Sequence, residues 1–520
     1  MGQLQRAVAN AASSARVVYK VPSRSTLGSN TTQSYPRLNR RLFTGKCLLP
    51  IKTPAGQTHR IQTLAIETSC DDTSVAILSI TRNDPSSPFR TSVLFHETLT
   101  ANTTPYGGIH PVIALESHQT RLAPLIARAI GHLDPTLDCN GMQERKPDFV
   151  SVTRGPGMRA NLSVGLHTAK GLALAWNVPL VGVHHMLAHT LTGRLCSILP
   201  PPLHGPSVRQ DGKQVVEREW RSEDVEPLFP FLSLLVSGGH TLLLDSRSLM
   251  QHKLLAETQD IALGDFLDKV ARLLLTPEEL RPPYGKALED FAIPPGGESG
   301  YAYTAPRTRG EELRRRSTSC GWSVDPPLAE SKSGLKSSRR MVYSFSGLLS
   351  SIQRFAALKT GSAASREEAL QLADILSLAE RRELAREVQI IAFEHLASRI
   401  LLHLQDLEKF NNGNVASASP PTITPSSEPP SIKKIVVSGG VASNSFLRYV
   451  LRSMLDIRGH SDLELKFPPR ELCTDNALMV AWAGLEMFDA GHRDGLGIEP
   501  LRKWGMEDLG GGIAFEGCEG

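Results

Sequence analysis

Residues 61–80 read IQTLAIETSCDDTSVAILSI. Ile61 to Glu67 is apolar and β-prone, Thr68 to Thr73 is a polar turn, and Ser74 to Ile80 is apolar again. That pattern predicts a strand, a tight turn and a return strand. The same device recurs about 170 residues later: Phe229 to Val236 is an apolar strand, Ser237-Gly238-Gly239-His240 a small turn, and Thr241 to Asp245 the return. Two such hairpins with small, polar turns suit close approach to a phosphate and hint at two related lobes.

Between the hairpins, Asp148 to Thr153 predicts a buried strand running into Arg154-Gly155-Pro156-Gly157, and Asn161 to Trp176 a helix rich in small residues. Strands alternating with helices give an α/β class. Leu384, Val388, Ala392, Leu396, Ile400 and Leu404 recur at every fourth position, one ridge of a long packed helix. Three polar stretches are expected to be excursions from the compact fold: 203–227, 291–340 and 409–431, the last a disordered surface loop. Their basic clusters, Arg314-Arg315-Arg316 and Arg339-Arg340, could touch a polyanion, although charge runs are ordinarily solvated faces.

Charge is unevenly distributed. The 520 residues hold 57 Lys plus Arg and 53 Asp plus Glu, a net of +4. Met1 to Arg60 carries ten basic residues and no acid, which leaves 47 basic against 53 acidic beyond it, a net of −6. A mildly acidic body follows a basic leader rich in Arg and Ser, the pattern of an organelle transit peptide. Seven scattered cysteines, with no pair at zinc-ribbon spacing, argue against a disulfide framework. Residues 171–193 lack Asp, Glu, Lys and Arg, but His184, His185 and His189 make a membrane span costly. The run is read as buried core beside a functional site, with no membrane insertion.

His185-Met186-Leu187-Ala188-His189 puts two imidazoles on one helix face, a normal spacing for two metal ligands. A protease zinc helix would carry Glu directly after the first histidine; here that position is Met186. Asp475, in Glu471-Leu472-Cys473-Thr474-Asp475-Asn476-Ala477, is expected at or near a helix start, where it is a candidate third ligand or a simple cap. Leu235 to Gly239 and Val436 to Asn444 each follow an apolar strand with a glycine turn, and the second runs into a helix. That is the recipe for holding an anion, without the Gly-Lys-Ser/Thr of a Walker A loop.

Taken together, these segments resemble one family. Ile66 to Ser74 resembles its opening phosphate hairpin, and Gly107 to Pro111 with His118 its next block. Gly155-Pro156-Gly157 with Gly165, Ala169 and Lys170 follows, then His185 to His189 and Ser237-Gly238-Gly239. Phe266 to Arg272, Ser344 to Leu348, Gly439 to Asn444 and Cys473 to Asn476 complete the order. The family is the universal tRNA threonylcarbamoyladenosine synthases, once called O-sialoglycoprotein endopeptidases, and with the leader the chain resembles its mitochondrial branch. Two departures stand out: Pro283-Tyr284-Gly285-Lys286 where the family has Pro-Gly-Gly-Pro, and Val112-Ile113 where polar or acidic residues are common.

The resemblance implies a two-lobed α/β fold of the actin–hexokinase–Hsp70 type with a nucleotide cleft. The lobes would be 61–183, with 480–510 packing back on it, and 184–479, behind a transit peptide over 1–60. It implies one divalent metal ion per subunit, iron, zinc or magnesium, held by His185, His189 and Asp475. It places Leu235, Val236, Ser237, Gly238, Gly239, Asp268, Gly285, Glu289 and Asn444 around the adenylate, with Asp268 and Glu289 suited to ribose hydroxyls. Asp71 and Asp72 are the candidates for a general base. The implied partners are tRNA, threonylcarbamoyl-adenylate and a second copy of the chain in a homodimer, in the mitochondrial matrix. Two alternatives remain: a carbamoyltransferase acting on a small molecule, which would share the fold, metal and adenylate chemistry, and a metalloprotease, for which the chain lacks the Glu general base beside His185.

Overall fold

The computed structural model describes residues 59–84, 86–106, 108–137, 143–199, 216–293, 303–329, 337–360, 372–411 and 432–509. In chain order come β1 (His59–Glu67), β2 (Asp72–Arg82), β3 (Phe89–Thr100), α1 (Pro111–Ile130), the short pair β4 (Thr136–Leu137) and β5 (Gln143–Glu144), β6 (Phe149–Gly155), α2 (Arg159–Trp176), β7 (Leu180–His184), α3 (His185–Ile198) and β8 (Val216–Trp220). Then follow β9 (Phe231–Val236), β10 (Thr241–Ser248), β11 (Gln251–Glu257), α4 (Leu263–Leu274), α5 (Tyr284–Ala292), α6 (Arg309–Glu312), the pair β12 (Arg316–Ser317) and β13 (Ser323–Val324), α7 (Ser346–Thr360) and α8 (Leu378–Asn411). The last elements are β14 (Lys434–Ser438), α9 (Ser445–Ile457), β15 (Glu464–Lys466), α10 (Arg470–Cys473) and α11 (Ala477–Asp489).

Two mixed sheets result, a six-stranded one in the order β7-β6-β1-β2-β3-β8 and a five-stranded one in the order β11-β10-β9-β14-β15. The opening hairpin is antiparallel, Ile66 opposite Val75 and Glu67 opposite Ser74, and β6 joins β1 in parallel. Its strands are apolar on both faces because both are covered. By the two-residue alternation of a strand, Leu64, Ile66, Val75 and Ile77 pack with Leu122 and Leu125 of α1 and Leu166 of α2. Ala65, Ala76 and Leu78 point the other way, into a core shared with Leu187 and Leu191 of α3 and Leu478 and Trp482 of α11.

The second hairpin behaves alike. On β9, Leu232, Leu234 and Val236 face a core with Phe266, Leu396 and Leu447, whereas Leu235 faces Leu187 and Leu191 of α3. So α3 touches both sheets and α11. Its Leu187, Leu191, Leu195 and Ile198 are fully buried. Each such side chain contributes roughly 1.5–3 kcal/mol, which makes α3 a rigid mount for its histidines. The ridge from Leu384 to Leu404 is buried at all six positions, inside the 34-residue α8.

The charge-free run 171–193 becomes the end of α2, β7 and the start of α3. Among the described residues no helix is long and apolar enough to cross a membrane. The expected excursions need correction. Residues 216–220 of the first form β8, paired antiparallel to β3, and Trp220 is buried and stacked on Phe89 at 4.7 Å. Within 291–340, the first two residues end α5, and much of the rest folds onto α8: Arg316 makes a double hydrogen bond to Glu394 at 2.8 and 2.8 Å, and the Tyr303 hydroxyl donates to Glu394 at 3.1 Å. Residues 409–411 of the third end α8. Residues 1–58 and 412–431 lie outside the described residues.

The basic clusters are largely engaged. Arg315 pairs with Asp325, Arg316 with Glu394 and Arg339 with Asp406, while Arg340 donates to Gln259. Only Arg316 is drawn into the fold by its pairing; Arg314, Arg315, Arg339 and Arg340 remain exposed.

Candidate metal and nucleotide site

Helix α3 begins at His185, directly after β7, so His185 and His189 stand one turn apart on the same face. His184 ends the strand and caps the helix: its Nδ1 accepts from the Met186 amide at 3.1 Å, and its Nε2 donates to the Trp504 carbonyl at 3.0 Å. Burial pushes the His184 imidazole down to about 3, so it acts as a neutral capping group. Asp475 arrives from the other end of the sequence. The cap of α11 is Asn476, whose side chain accepts from the Met479 amide at 2.9 Å, and Asp475 sits one residue before it, free of that duty.

The three groups converge. Asp475 Oδ1 lies 3.0 Å from His189 Nε2 and 3.4 Å from His185 Nε2. One ligand atom from each fits within 4.8 Å of the others. Two neutral imidazoles and one carboxylate aimed at a common point are a donor set for a divalent cation, and both rings are almost fully buried. Behind His185, Nδ1 lies 3.2 Å from Glu67 Oε2 and 3.2 Å from Ser69 Oγ. Without a cation, His185 is pushed up to about 10: burial opposes its charge, but Asp475 and Glu67 outweigh burial. A metal would take the place of that proton.

The glycine turns lie at the carboxyl ends of neighbouring parallel strands, since Ser438 of β14 pairs beside Leu235 of β9. In open α/β sheets that edge is the usual ligand crevice. Gly439 has φ +93°, and a Cβ there would lie 2.5 Å from the Val236 carbonyl oxygen. Around Gly238, Gly239 and Gly440 there is open space, with nothing within 4 Å of a Cβ. Ser237 is tied to the start of α4, its carbonyl accepting from the Gly264 amide at 3.1 Å.

The remaining expected substrate residues are linked to one another by a chain of contacts. Asp268 on α4 accepts from the Gly285 amide at 2.9 Å, and burial raises its carboxyl despite Arg272. Glu289 on α5 accepts from the Ser445 amide at 2.7 Å, next to Asn444. The Asn444 side chain caps α9 by accepting from Leu447 at 2.8 Å. Two sequence departures become concrete here. Tyr284, Gly285 and Lys286 form the first turn of α5, and Val112 is 55 % exposed on α1.

The two halves of the site adjoin. His240, closing the Ser237 turn, is pushed down to about 4 by burial and by the charge of His185. On the opposite side, Asp72 is raised to about 7 by burial and by the charges of Asp475 and Asp71, with the Thr100 hydroxyl pulling the other way. Burial also raises Asp71. His118 is fully buried and pins this turn, with Nδ1 2.8 Å from the Thr73 hydroxyl and Nε2 3.0 Å from the Cys70 carbonyl. Sequence reading gave Glu67, Ser69 and Thr153 no separate role. The available signal is an acidic residue ending an otherwise apolar strand.

Comparison with known proteins identifies the family. The family model for tRNA N6-adenosine threonylcarbamoyltransferase matches residues 92–208 and 217–482. The mitochondrial tRNA N6-adenosine threonylcarbamoyltransferase of Schizosaccharomyces pombe is 32% identical over 453 residues, 86% of this chain and 87% of that one. The tRNA N6-adenosine threonylcarbamoyltransferase of Brucella anthropi is 31% identical over 457 residues, 88% and 98%. Among solved structures, HypF of T. kodakarensis covers 86% of this chain and 50% of its own at 12% identity and a TM-score of 0.33, too low to bear on the argument. The family model and the curated relatives agree: the chain belongs to the tRNA N6-adenosine threonylcarbamoyltransferases, transferases that modify tRNA.

Proposed function

We propose that the chain moves the threonylcarbamoyl group from threonylcarbamoyl-adenylate to N6 of the adenosine just 3′ of the anticodon. The substrates would be mitochondrial tRNAs reading codons that begin with adenine. The observation that carries this reading is the His185–His189–Asp475 cluster adjoining two glycine turns at one strand edge. A cation held by those three groups, iron, zinc or magnesium, would supply charge to orient and polarise the carbamoyl carbonyl.

The chain's own residues do the rest. The open backbone at Gly238 and Gly239 suits the adenylate phosphate. Asp268 keeps one carboxylate oxygen on the Gly285 amide, and Glu289 keeps one on the Ser445 amide with its other oxygen 3.4 Å from Lys286 Nζ; both carboxylates would be suited to ribose hydroxyls. The N6 amine attacks the carbonyl carbon, the bond from that carbon to the phosphate oxygen breaks, and AMP leaves with the electron pair. N6 gives up a proton. Asp72, raised to about 7, and Asp71 are the carboxylates suited to accept it near neutral pH. Positioning and charge stabilisation provide most of the rate.

The wider reading is a two-lobed actin-like arrangement, one lobe on 61–183 closed by 480–510 and the other on 184–479, with the adenylate in the cleft. Packing of α11 on β1, β2 and β6 supports it. The basic segment 1–60 would be a transit peptide to the matrix, in keeping with the mitochondrial relative, and the working form a homodimer. The deciding experiment gives the purified chain threonylcarbamoyl-adenylate and unmodified tRNA, with small amines and alcohols as competing acceptors, and reads the modified nucleoside by mass spectrometry. His185→Ala should abolish product and lower metal content. Full transfer by that variant at normal metal content would sink the metal's role, and product only on small acceptors would sink the tRNA reading.

A further inference from the structure

Glu67 ends β1 with no solvent exposure. A carboxylate so placed is costly unless its oxygens are satisfied. Here the satisfaction points one way. The Ser69 amide donates to Oε1 at 2.6 Å, the Thr153 hydroxyl donates to Oε2, and the same Oε2 lies 3.2 Å from His185 Nδ1. The opposite nitrogen of that ring, Nε2, looks at Asp475.

A Ser–His–carboxylate relay would need the serine on one ring nitrogen and the carboxylate on the other. Ser69 and Glu67 both address Nδ1, so these two form no relay through the ring, and the carboxylate on Nε2 is Asp475, the third member of the metal cluster. What the arrangement does is hold the ring. With Nδ1–H committed to a carboxylate, the Nε2 lone pair is the one presented to the Asp475 side. His189 has no such support, since among the described residues its buried Nδ1 has no hydrogen-bond partner. The two histidines are therefore unequal, one oriented from behind and one by packing alone.

We propose that Glu67 is the positioning residue of the metal centre, fixing the tautomer and tilt of His185 and tying the hairpin that carries Asp71 and Asp72 to helix α3. This rests on the metal reading above. Ser69 is held on the same framework, its carbonyl accepting from the Met158 amide at 3.0 Å, so ligand and hairpin share one anchor.

The test titrates zinc against a chromogenic chelator with the purified full chain, with the thermal midpoint of the metal-free protein read in parallel. Glu67→Gln keeps the shape but cannot accept from the Ser69 amide and from His185 at once. Zinc affinity should fall about 10–100-fold, the range for an outer-shell partner, with the metal-free midpoint near that of the wild type. Thr153→Val removes one hydrogen bond from Glu67 Oε2 and should cost about two- to tenfold. Ser69→Ala should cost less than Glu67→Gln. Wild-type affinity in Glu67→Gln, or an equal loss in Ser69→Ala, overturns the proposal. If Glu67→Gln does not fold, Thr153→Val decides, and unchanged affinity there overturns it. Asp475→Asn separates the two readings: wild-type zinc binding by that variant would defeat the metal reading itself, whatever Glu67 does.

Discussion

Gly439→Ala should disable the site while Gly440→Ala, its neighbour, should not. At 439 the backbone has φ +93° and ψ 161°, a region almost reserved for glycine, where a side chain costs about 1–3 kcal/mol. The added Cβ would also sit 2.5 Å from the Val236 carbonyl oxygen and 2.8 Å from its carbon, where ordinary contact begins at 3.4 Å. Relief therefore needs about 0.9 Å of movement between β14 and β9, and such overpacking costs a further 1–3 kcal/mol. The sum is about 2–6 kcal/mol of stability. Both glycine turns leave the sheet at this seam, so a displacement near 1 Å should also cost on the order of 100-fold in transfer rate. At 440 a Cβ meets nothing within 4 Å, so a change under about 0.5 kcal/mol is expected. Urea denaturation of both variants, with transfer assays on the same preparations, gives the comparison. Equal stability and equal rate in the two would refute the claim that close contact at this seam holds the turns in place.

Other predictions concern charge. Glu394 is pushed up to about 7 by burial, against the pull of Arg316 and the Tyr303 hydroxyl. The folded state then binds this proton more tightly than the unfolded chain, so between about pH 4.5 and 7 its contribution to stability falls as pH rises. Glu394→Gln should flatten that slope between about pH 4.5 and 7 in denaturation midpoints, and an unchanged slope would reject the assignment. The net −6 of the chain beyond Arg60 means that tRNA must be held by local basic patches. Binding should therefore weaken steeply with salt, with log K falling linearly against log salt; a flat salt response in filter binding would contradict this.

Much of this was legible in the sequence because it obeys short-range rules. The apolar runs on each side of Thr68–Thr73 and of Ser237–His240 could be little else but strands; the structure lengthens three of them by two to four residues and starts the other at Phe231 rather than Phe229. His185 and His189 were legible because four residues make a helical turn. Asp475 was less so: its partner lies 286 positions away, and the local signal was shared with Asn476, which proves to be the cap. Glu67 was hidden for a similar reason. Its role depends on His185, 118 residues later, and on Thr153, 86 residues later. The polar stretch 216–220 was misread because edge strands carry charge on their solvent side, so composition alone resembles a loop. Likewise the arginines near 315 look like a free cluster until Asp325 and Glu394 are brought beside them.

The position of α11 sets the order in which this molecule can be finished. One face of the first sheet, carrying Ala65, Ala76, Phe149 and Val181, is covered by α3 and by Leu478, Met479, Trp482 and Leu485 from near the end of the chain. During synthesis or refolding that face stays wet until α11 exists. Contacts of such long sequence separation form slowly, and the exposed sheet is sticky in the interval. Chains truncated before Ala477 should therefore aggregate rather than yield a stable N-terminal fragment, and chaperones should hold this chain until α11 docks.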